Sequence, residues 1–191
     1  MAPVTRNWRG KHGPRRSRLI LRLVIGLTLI LQFSTQAADD PLEYQVKAAF
    51  MLNFTKFIEW PAEAFSASDS PIAICVLGDD PFGNTLDQIV AGAVVQGRKV
   101  VAQRIKLAPP PKSCQVMFVG KSDDVVLKSL PDVGFGVLTI GEGERFVRDR
   151  GMIAFLVENH RVRFDINLTA AETAGLKLSS KLLNVARSVE K

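Results

Sequence analysis

Histidine, cysteine and tyrosine are scarce in this chain of 191 residues, which has two histidines, two cysteines and one tyrosine. Metal centres and acid–base sites usually combine several His, Cys, Asp or Glu side chains at short spacing. His160 is the only histidine after residue 12, and Cys75 and Cys114 lack C-x-x-C spacing. No G-x-S-x-G motif of a serine nucleophile is present either. We therefore expect no catalytic residue, no metal site and no cofactor, and we predict that the protein is not an enzyme.

Acidic residues are absent before residue 38, whereas seven Lys or Arg side chains lie there. Those seven account for the formal net charge of +6, because the rest of the chain has only 18 of the 25 basic residues against 19 acidic ones. Nucleic-acid binding requires a basic patch on the folded surface. A near-neutral folded part excludes that class of function, so we expect no nucleic-acid partner.

The first 37 residues have the three parts of a secretory signal. A basic segment extends to Arg22, an apolar run covers residues 23–33, and small residues surround a cleavage position near Ala37. The apolar run is shorter than the roughly 20 residues that span a membrane. We predict a signal peptide at residues 1–37 and one exported domain at residues 38–191, with a retained membrane anchor as the alternative.

Export places Cys75 and Cys114 in an oxidising compartment, where an even number of cysteines indicates a disulfide. Two buried free thiols are the alternative. A disulfide that closes a loop of this length stabilises a fold by roughly 3–4 kcal/mol when its effect is attributed to chain entropy.

The mature chain alternates apolar strands with helical segments, which predicts an α/β fold. We expect one domain with a mostly parallel central sheet, flanking helices and a C-terminal antiparallel hairpin. The predicted strands cover residues 71–77, 98–105, 114–119 and 133–140. The predicted helices cover residues 44–60, about 84 onward, 122–130, a short segment after 169, and 179–189. Residues 109–111 are a stiff proline segment.

The stretch 151–168 predicts the hairpin. Its first arm is continuously apolar, and its second arm alternates, with Arg161 and Arg163 on the polar side. Asn159 and His160 between the arms favour a tight turn, since Asn tolerates positive φ. Thr169 and Glu172 have the spacing of a helix capping box.

Two other patterns allow a structural and a functional interpretation. The aromatic side chains at helical spacing in residues 44–60 indicate core packing, or else the wall of a partner groove. The glycine-rich turn at residues 78–83 indicates a simple strand-to-helix connection, or else a weak anion site. Asp79 and Asp80 within that turn would repel a phosphate.

Three stretches of the chain resemble the YfiR family. The first is the opening helix, with YQVKAAF at 44–50, NFTKF at 53–57 and EWP at 59–61. The second is the strand and turn at 72–83, which contains GDDPFG. The third is the C-terminal part, with GMI at 151–153, VRFDIN at 162–167 and AGLKLSSKLL at 174–183. The resemblance covers nearly all of the mature chain in order.

This resemblance implies a periplasmic protein that binds the periplasmic sensor domain of an inner-membrane diguanylate cyclase and represses it. Cyclic di-GMP and exopolysaccharide-dependent biofilm formation would fall as a result. It also implies sequestration by an outer-membrane lipoprotein, a homodimer, and a Cys75–Cys114 disulfide. A second cysteine pair that some members carry near the equivalent of residues 149–156 is missing here, so redox sensing through that pair does not transfer.

For the partner surface we hypothesise Phe155 and Glu158 in the first hairpin arm with Arg161 and Arg163 in the second, because outward arginines on an alternating strand provide charge matching and edge pairing. The alternative is that Phe155 is core and the arginines are only solvated.

Two other functions stay open, namely an uncharacterised periplasmic enzyme and a periplasmic small-molecule-binding component of a transporter or sensor kinase. The second predicts a pocket near Phe50, Trp60 and the turn at 78–83.

Overall fold

A computed structural model of the chain describes residues 41–106, 114–120 and 134–191. These residues all belong to the unit Asp39–Lys191. The predicted signal peptide at 1–37, the proline segment at 109–111 and the predicted helix at 122–130 lie outside them.

The elements follow the chain as alternating helices and strands. The helices are α1 (Pro41–Lys56), α2 (Asn84–Val90), α3 (Glu144–Arg148), α4 (Leu168–Thr173) and α5 (Ser180–Val185), with a 3₁₀ turn at Ala62–Ala64. The strands are β1 (Ile58–Glu59), β2 (Ile72–Leu77), β3 (Val94–Val95), β4 (Arg98–Ile105), β5 (Val116–Val119), β6 (Leu138–Glu142), β7 (Ile153–Glu158), β8 (Arg161–Asn167), β9 (Lys177–Leu178) and β10 (Ser188–Glu190).

Eight of these strands form one sheet in the order β10-β8-β7-β6-β5-β2-β4-β3. Strands β7, β6, β5, β2 and β4 run parallel to their neighbours in that series. Strands β7 and β8 form the antiparallel hairpin, and β3 pairs antiparallel with β4. The predicted fold class, a mostly parallel α/β sheet with a C-terminal hairpin, is confirmed.

The inner strands are apolar on both faces because both faces are covered. All six side chains of β2 are buried, as are all four of β5. Helix α1 covers one face, where Phe54 and Met51 pack into the main core cluster. On the other face Phe146 of α3 packs against Met117 and Ala154.

The disulfide lies on that second face. Cys75 of β2 and Cys114 before β5 are joined, with their Cα atoms 5.9 Å apart, and both residues are buried next to Ala73. The predicted pairing is confirmed. It ties two neighbouring strands together across a sequence separation of 39 residues.

Helix α1 ends at Lys56, four residues before the predicted end at Trp60. Ile58 and Glu59 instead form β1, which pairs antiparallel with β9 in a small second sheet. The sequence pattern missed this pairing because a two-residue strand has no periodicity.

Lys47 falls between the apolar positions of the helical pattern in residues 44–60, which is typical of an exposed side chain. Its side chain is buried, with 3% of the residue exposed, and its ammonium group pairs with Glu43 and with Glu142 at the end of β6. The same ammonium group lies 4.4 Å from the ring centre of Tyr44, whose hydroxyl donates a hydrogen bond to Glu142. This polar contact attaches the first turns of α1 to the carboxyl end of the sheet.

The predicted hairpin is confirmed, and its turn has the expected residues. Asn159 and His160 both adopt positive φ, 50° and 59°, as a two-residue type I′ turn requires. The following helix begins differently from the prediction. Asn167, not Thr169, is the N-cap of α4, and its side chain accepts a hydrogen bond from the Ala170 N–H group.

The predicted last helix at residues 179–189 is also corrected. It is a single short helix, α5, that ends at Val185, and β10 follows. Strand β10 pairs in parallel with β8 and extends the sheet beyond the hairpin. The reason is long-range, because Arg187 just before β10 bonds to Asp165 of β8.

Within residues 41–106, 114–120 and 134–191, no helix has the length and apolarity that crossing a membrane demands. The same residues include no group of three or more His, Cys, Asp or Glu side chains arranged to hold a metal ion.

Candidate partner-binding site

The hairpin formed by β7 and β8 presents the candidate partner surface. Strand β10 pairs only with Asp165, Ile166 and Asn167 of β8, and the Arg187 N–H group bonds to the Phe164 carbonyl oxygen just before them. In the described residues, no strand pairs with the outer edge of β8 from residue 161 to residue 163. A free strand edge can accept a strand from a partner.

Arg161 and Arg163 lie on this open part of β8, and both are exposed. Their side chains are on one face of the hairpin, since β7 and β8 pair in the register Arg161 with Glu158 and Arg163 with Leu156. Among the residues that the structure describes, neither arginine forms an ion pair. The two guanidinium groups therefore give this end of the sheet a positive surface.

Glu158 lies on the same face but already has a partner. Its carboxylate accepts a hydrogen bond from Arg187, so its charge is largely offset. Within the hypothesised surface, Glu158 contributes less net charge than the two arginines.

The placement of Phe155 in the hypothesised partner surface is corrected, because its side chain is buried. It is 1% exposed, and its ring stacks on Phe54 of α1 with ring centres 5.8 Å apart. Phe155 pairs across the hairpin with Phe164, whose ring also meets Phe54. The residue belongs to the core that fixes the hairpin against α1, so the accessible part of the hypothesised set is Glu158, Arg161 and Arg163.

A groove of about 470 Å³ separates the first half of α1 from the hairpin tip. Its apolar wall includes Leu42 and Val157, which are 62% and 50% exposed, together with Val46 and Val162. Arg161 also lines the groove. Phe50, from the aromatic pattern for which a partner groove was the alternative to core packing, also lines it. The other wall depends on the placement of the hairpin beside α1, which no local pattern predicts.

Arg187, which precedes β10, connects that strand to the hairpin through its side chain. No local sequence pattern indicated this role. Its guanidinium group donates hydrogen bonds to Asp165, Glu158 and Glu144. Burial acts to raise the pKa of Asp165, but the hydrogen bonds from Arg187 and Ser188 outweigh it and hold that pKa below its ordinary value.

The glycine-rich turn at residues 78–83 is a structural connection and not an anion site. Asp80 occupies its N–H groups, since one carboxylate oxygen accepts hydrogen bonds from Phe82 at 2.8 Å and Gly83 at 3.2 Å. The other oxygen accepts from Arg104 at 2.8 Å. Arg104 also donates to Asp87, and that hydrogen bond holds the pKa of Asp87 below its usual value.

The small-molecule interpretation predicts one pocket near Phe50, Trp60 and the turn at residues 78–83, but each of these three contacts a different part of the protein. Phe50 lies beside the hairpin, with its ring 5.5 Å from that of Phe164. Trp60 donates a hydrogen bond to the Gln115 carbonyl oxygen at 3.3 Å. The turn at 78–83 is closed by Asp80. The structure therefore gives no support to a common pocket for these three features.

The chain matches the YfiR/HmsC-like family over residues 44–187. This is more than half of the chain, and the chain belongs to that family. The matched region begins at Tyr44, which bonds to Glu142, and ends at Arg187, which bonds to Asp165, so it includes both polar contacts that fix the outer elements to the sheet.

One solved structure with similarity to the chain is a conserved domain protein from Vibrio cholerae O1 biovar El Tor. The similarity has 13% sequence identity and a TM-score of 0.45, and it covers 62% of this chain and 54% of the other. The chain thus spans about half the length of that protein. No curated protein matches the chain.

YfiR-like proteins are periplasmic regulatory proteins without a catalytic role. Membership of this family supports the interpretation that the protein is a periplasmic regulator that resembles YfiR.

Proposed function

We propose that this protein binds the periplasmic sensor domain of an inner-membrane diguanylate cyclase and represses it, which lowers cyclic di-GMP and biofilm formation. The observation that carries the proposal is membership of the YfiR/HmsC-like family over residues 44–187. The proposal includes export to the periplasm after cleavage of the signal peptide near Ala37.

Repression would work by a population shift. A regulator that binds the inactive state of the sensor domain more tightly than the active state moves the equilibrium by its difference in affinity. No chemical step is needed for this.

The surface proposed for the contact is the end of the hairpin. The open edge of β8 offers backbone hydrogen bonds, Arg161 and Arg163 offer positive charge, and the groove lined by Leu42 and Val157 offers apolar area. We expect an acidic patch on the partner, since opposite charges accelerate association and fix its orientation.

An outer-membrane lipoprotein that binds the same protein would release the cyclase by competition, and a homodimer is part of the same proposal. Both come from the resemblance to the family. Their test is co-purification from the periplasm, followed by the molar mass of the purified protein in solution.

The first experiment compares cellular cyclic di-GMP in a strain that lacks the protein with its parent and with a complemented strain. A rise that complementation reverses supports repression. Deleting membrane cyclases one at a time in the same background then shows which cyclase produces the rise. Unchanged cyclic di-GMP under several growth conditions would contradict the proposal and leave the fold and family unaffected.

A further inference from the structure

A cavity of about 570 Å³ lies away from the hairpin tip, where α4, the start of β7 and the end of β10 meet. Its size falls in the range of roughly 300–1,000 Å³ that is usual for small-molecule sites. Its lining includes an exposed aromatic ring, a guanidinium group and two hydroxyl groups, supplied by Phe135, Arg150, Thr169 and Thr173.

Phe135 forms the apolar wall of this cavity. Its side chain is 58% exposed, whereas phenylalanine is most often buried in folded proteins. Gly134 and Gly136 on either side have φ of 105° and 79°, and the Gly136 N–H group bonds to the Ala174 carbonyl oxygen at 2.8 Å. The ring rests on Gly175, where an added Cβ would lie 2.3 Å from the ring. Phe135 therefore packs against Gly175 and also lines the cavity.

Arg150 provides the charge. Its φ is 72°, the left-handed conformation that ends a helix: after α3 the Arg150 N–H group bonds to the Val147 carbonyl oxygen at 3.2 Å, and the Gly151 N–H group bonds to that of Phe146 at 2.8 Å. In the part of the chain that the structure describes, Arg150 forms no ion pair. Glu190 and Lys191 also line the cavity, and among the described residues neither forms an ion pair with Arg150. A guanidinium group without a carboxylate partner is suited to bind one from a ligand.

The hydroxyl groups add a polar side near the cation. The Thr173 hydroxyl donates to the Thr169 carbonyl oxygen at 2.8 Å, which leaves its oxygen able to accept a hydrogen bond. Asn167 also lines the cavity, but it is occupied as the cap of α4.

We propose that this cavity binds a small organic acid with a flat apolar group, whose carboxylate pairs with Arg150 and whose apolar face packs on Phe135. The site is separate from the hairpin surface and does not depend on the proposed repression of a cyclase. A ligand there would make the regulator responsive to a small acid in its compartment.

The test titrates the purified mature protein with phenylacetate, followed by NMR chemical shifts and by calorimetry. Phenylacetamide, which has the same ring without the charge, is the matched probe. We expect saturable binding of phenylacetate, with shifts confined to residues around Phe135 and Arg150. Loss of a charge-assisted pair should weaken binding by roughly tenfold or more, both for phenylacetamide and for the Arg150→Gln variant.

Arg148→Gln is the matched control, because Arg148 is an exposed arginine two residues away that does not line the cavity. It should bind phenylacetate like the unchanged protein, and Arg150→Lys should retain part of the affinity. Phe135→Ala should weaken binding of both probes. Absence of saturable binding, shifts located elsewhere, or equal affinity for Arg150→Gln and the unchanged protein would overturn the proposal. The backbone NMR spectrum of each variant verifies that it is folded.

Discussion

Arg187 and Asp165 join the last strand of the protein to its hairpin. One guanidinium nitrogen donates to Asp165 Oδ1 at 2.8 Å, and a second donates to Oδ2, so the contact is bidentate. Asp165 is buried in the middle of β8, while Arg187 stands directly before β10. The pair therefore fixes the start of β10 beside Asp165, and the parallel strand runs from there away from Arg161 and Arg163.

Arg187→Ala should destabilise the protein by about 2 kcal/mol at neutral pH, because a buried carboxylate is left without its main donor. Urea unfolding measures the loss. Arg148→Ala, at an exposed arginine that has no ion pair with any described residue, should stay within about 0.5 kcal/mol of the unchanged protein.

The loss caused by Arg187→Ala should also depend on pH. The pKa of Asp165 is lowered in the folded state, so its contribution is present above the unfolded pKa of about 3.9 and is lost as the pH falls through the folded value. The difference between the variant and the unchanged protein should then shrink below about pH 4. A difference that stays constant between neutral and acidic pH would show that the ion pair is not its cause.

Lys47→Met should lower the free energy of unfolding by about 2 kcal/mol, because Glu43 and Glu142 are partly buried and would lose their shared cation. Adding Glu142→Gln to this variant should restore part of the loss, since one of the two unpaired charges is then removed. Lys56→Met, at the exposed end of the same helix, serves as the control and should change little. A double variant no more stable than Lys47→Met would disprove the link to Glu142.

Asp80→Ala should cost about 1–2 kcal/mol of stability, since the Phe82 and Gly83 N–H groups and Arg104 lose one acceptor. The neighbouring residue gives a matched control, because Asp79 has an exposed side chain. Asp79→Ala should remain within about 0.5 kcal/mol of the unchanged protein. Equal losses for the two variants, measured by thermal unfolding, would contradict this account of the turn.

Removing the disulfide with Cys75→Ala and Cys114→Ala together should destabilise the protein by about 4 kcal/mol, if the chain-entropy estimate holds for the separation of 39 residues. Reducing conditions should have a comparable effect on the unchanged protein and none on the double variant. Both cysteines are buried, so reduction should be slow until the protein opens. Urea unfolding with and without reductant measures this contribution of the disulfide. Equal stability of the unchanged protein and the double variant without reductant would contradict it.

Arg161→Ala with Arg163→Ala should weaken repression and partner binding while leaving stability nearly unchanged, because both side chains are exposed and unpaired among the described residues. Cellular cyclic di-GMP should rise toward the level of the deletion strain. Binding of the unchanged protein should weaken with added salt, as expected for surface charges.

The matched control for that variant is Lys99→Ala with Lys106→Ala, which removes two exposed cations toward the other edge of the sheet. It should repress normally. Full repression by the hairpin variant, with both variants folded and equally abundant, would exclude Arg161 and Arg163 from the partner surface.

The sequence was sufficient for the features that depend on neighbouring residues. Continuous apolar runs identified β2, β5 and β7, since strands covered on both faces need no polar positions. Asn159 and His160 located the hairpin turn, because few residues tolerate positive φ. The even number of cysteines, together with the predicted export, was enough to predict the disulfide.

Only the tertiary structure decided where side chains with two plausible environments would lie. The hypothesised partner surface included Phe155, yet α1 packs over that residue. Lys47 falls between the apolar positions of its helix in the sequence, yet its ammonium group is buried beside Glu142. Strand β10, the small sheet of β1 and β9, and the cavity beside Phe135 depend on contacts between residues far apart in the chain. Periodicity in a sequence reports which side of an element is apolar, whereas the partner that covers that side is set by how distant elements pack together.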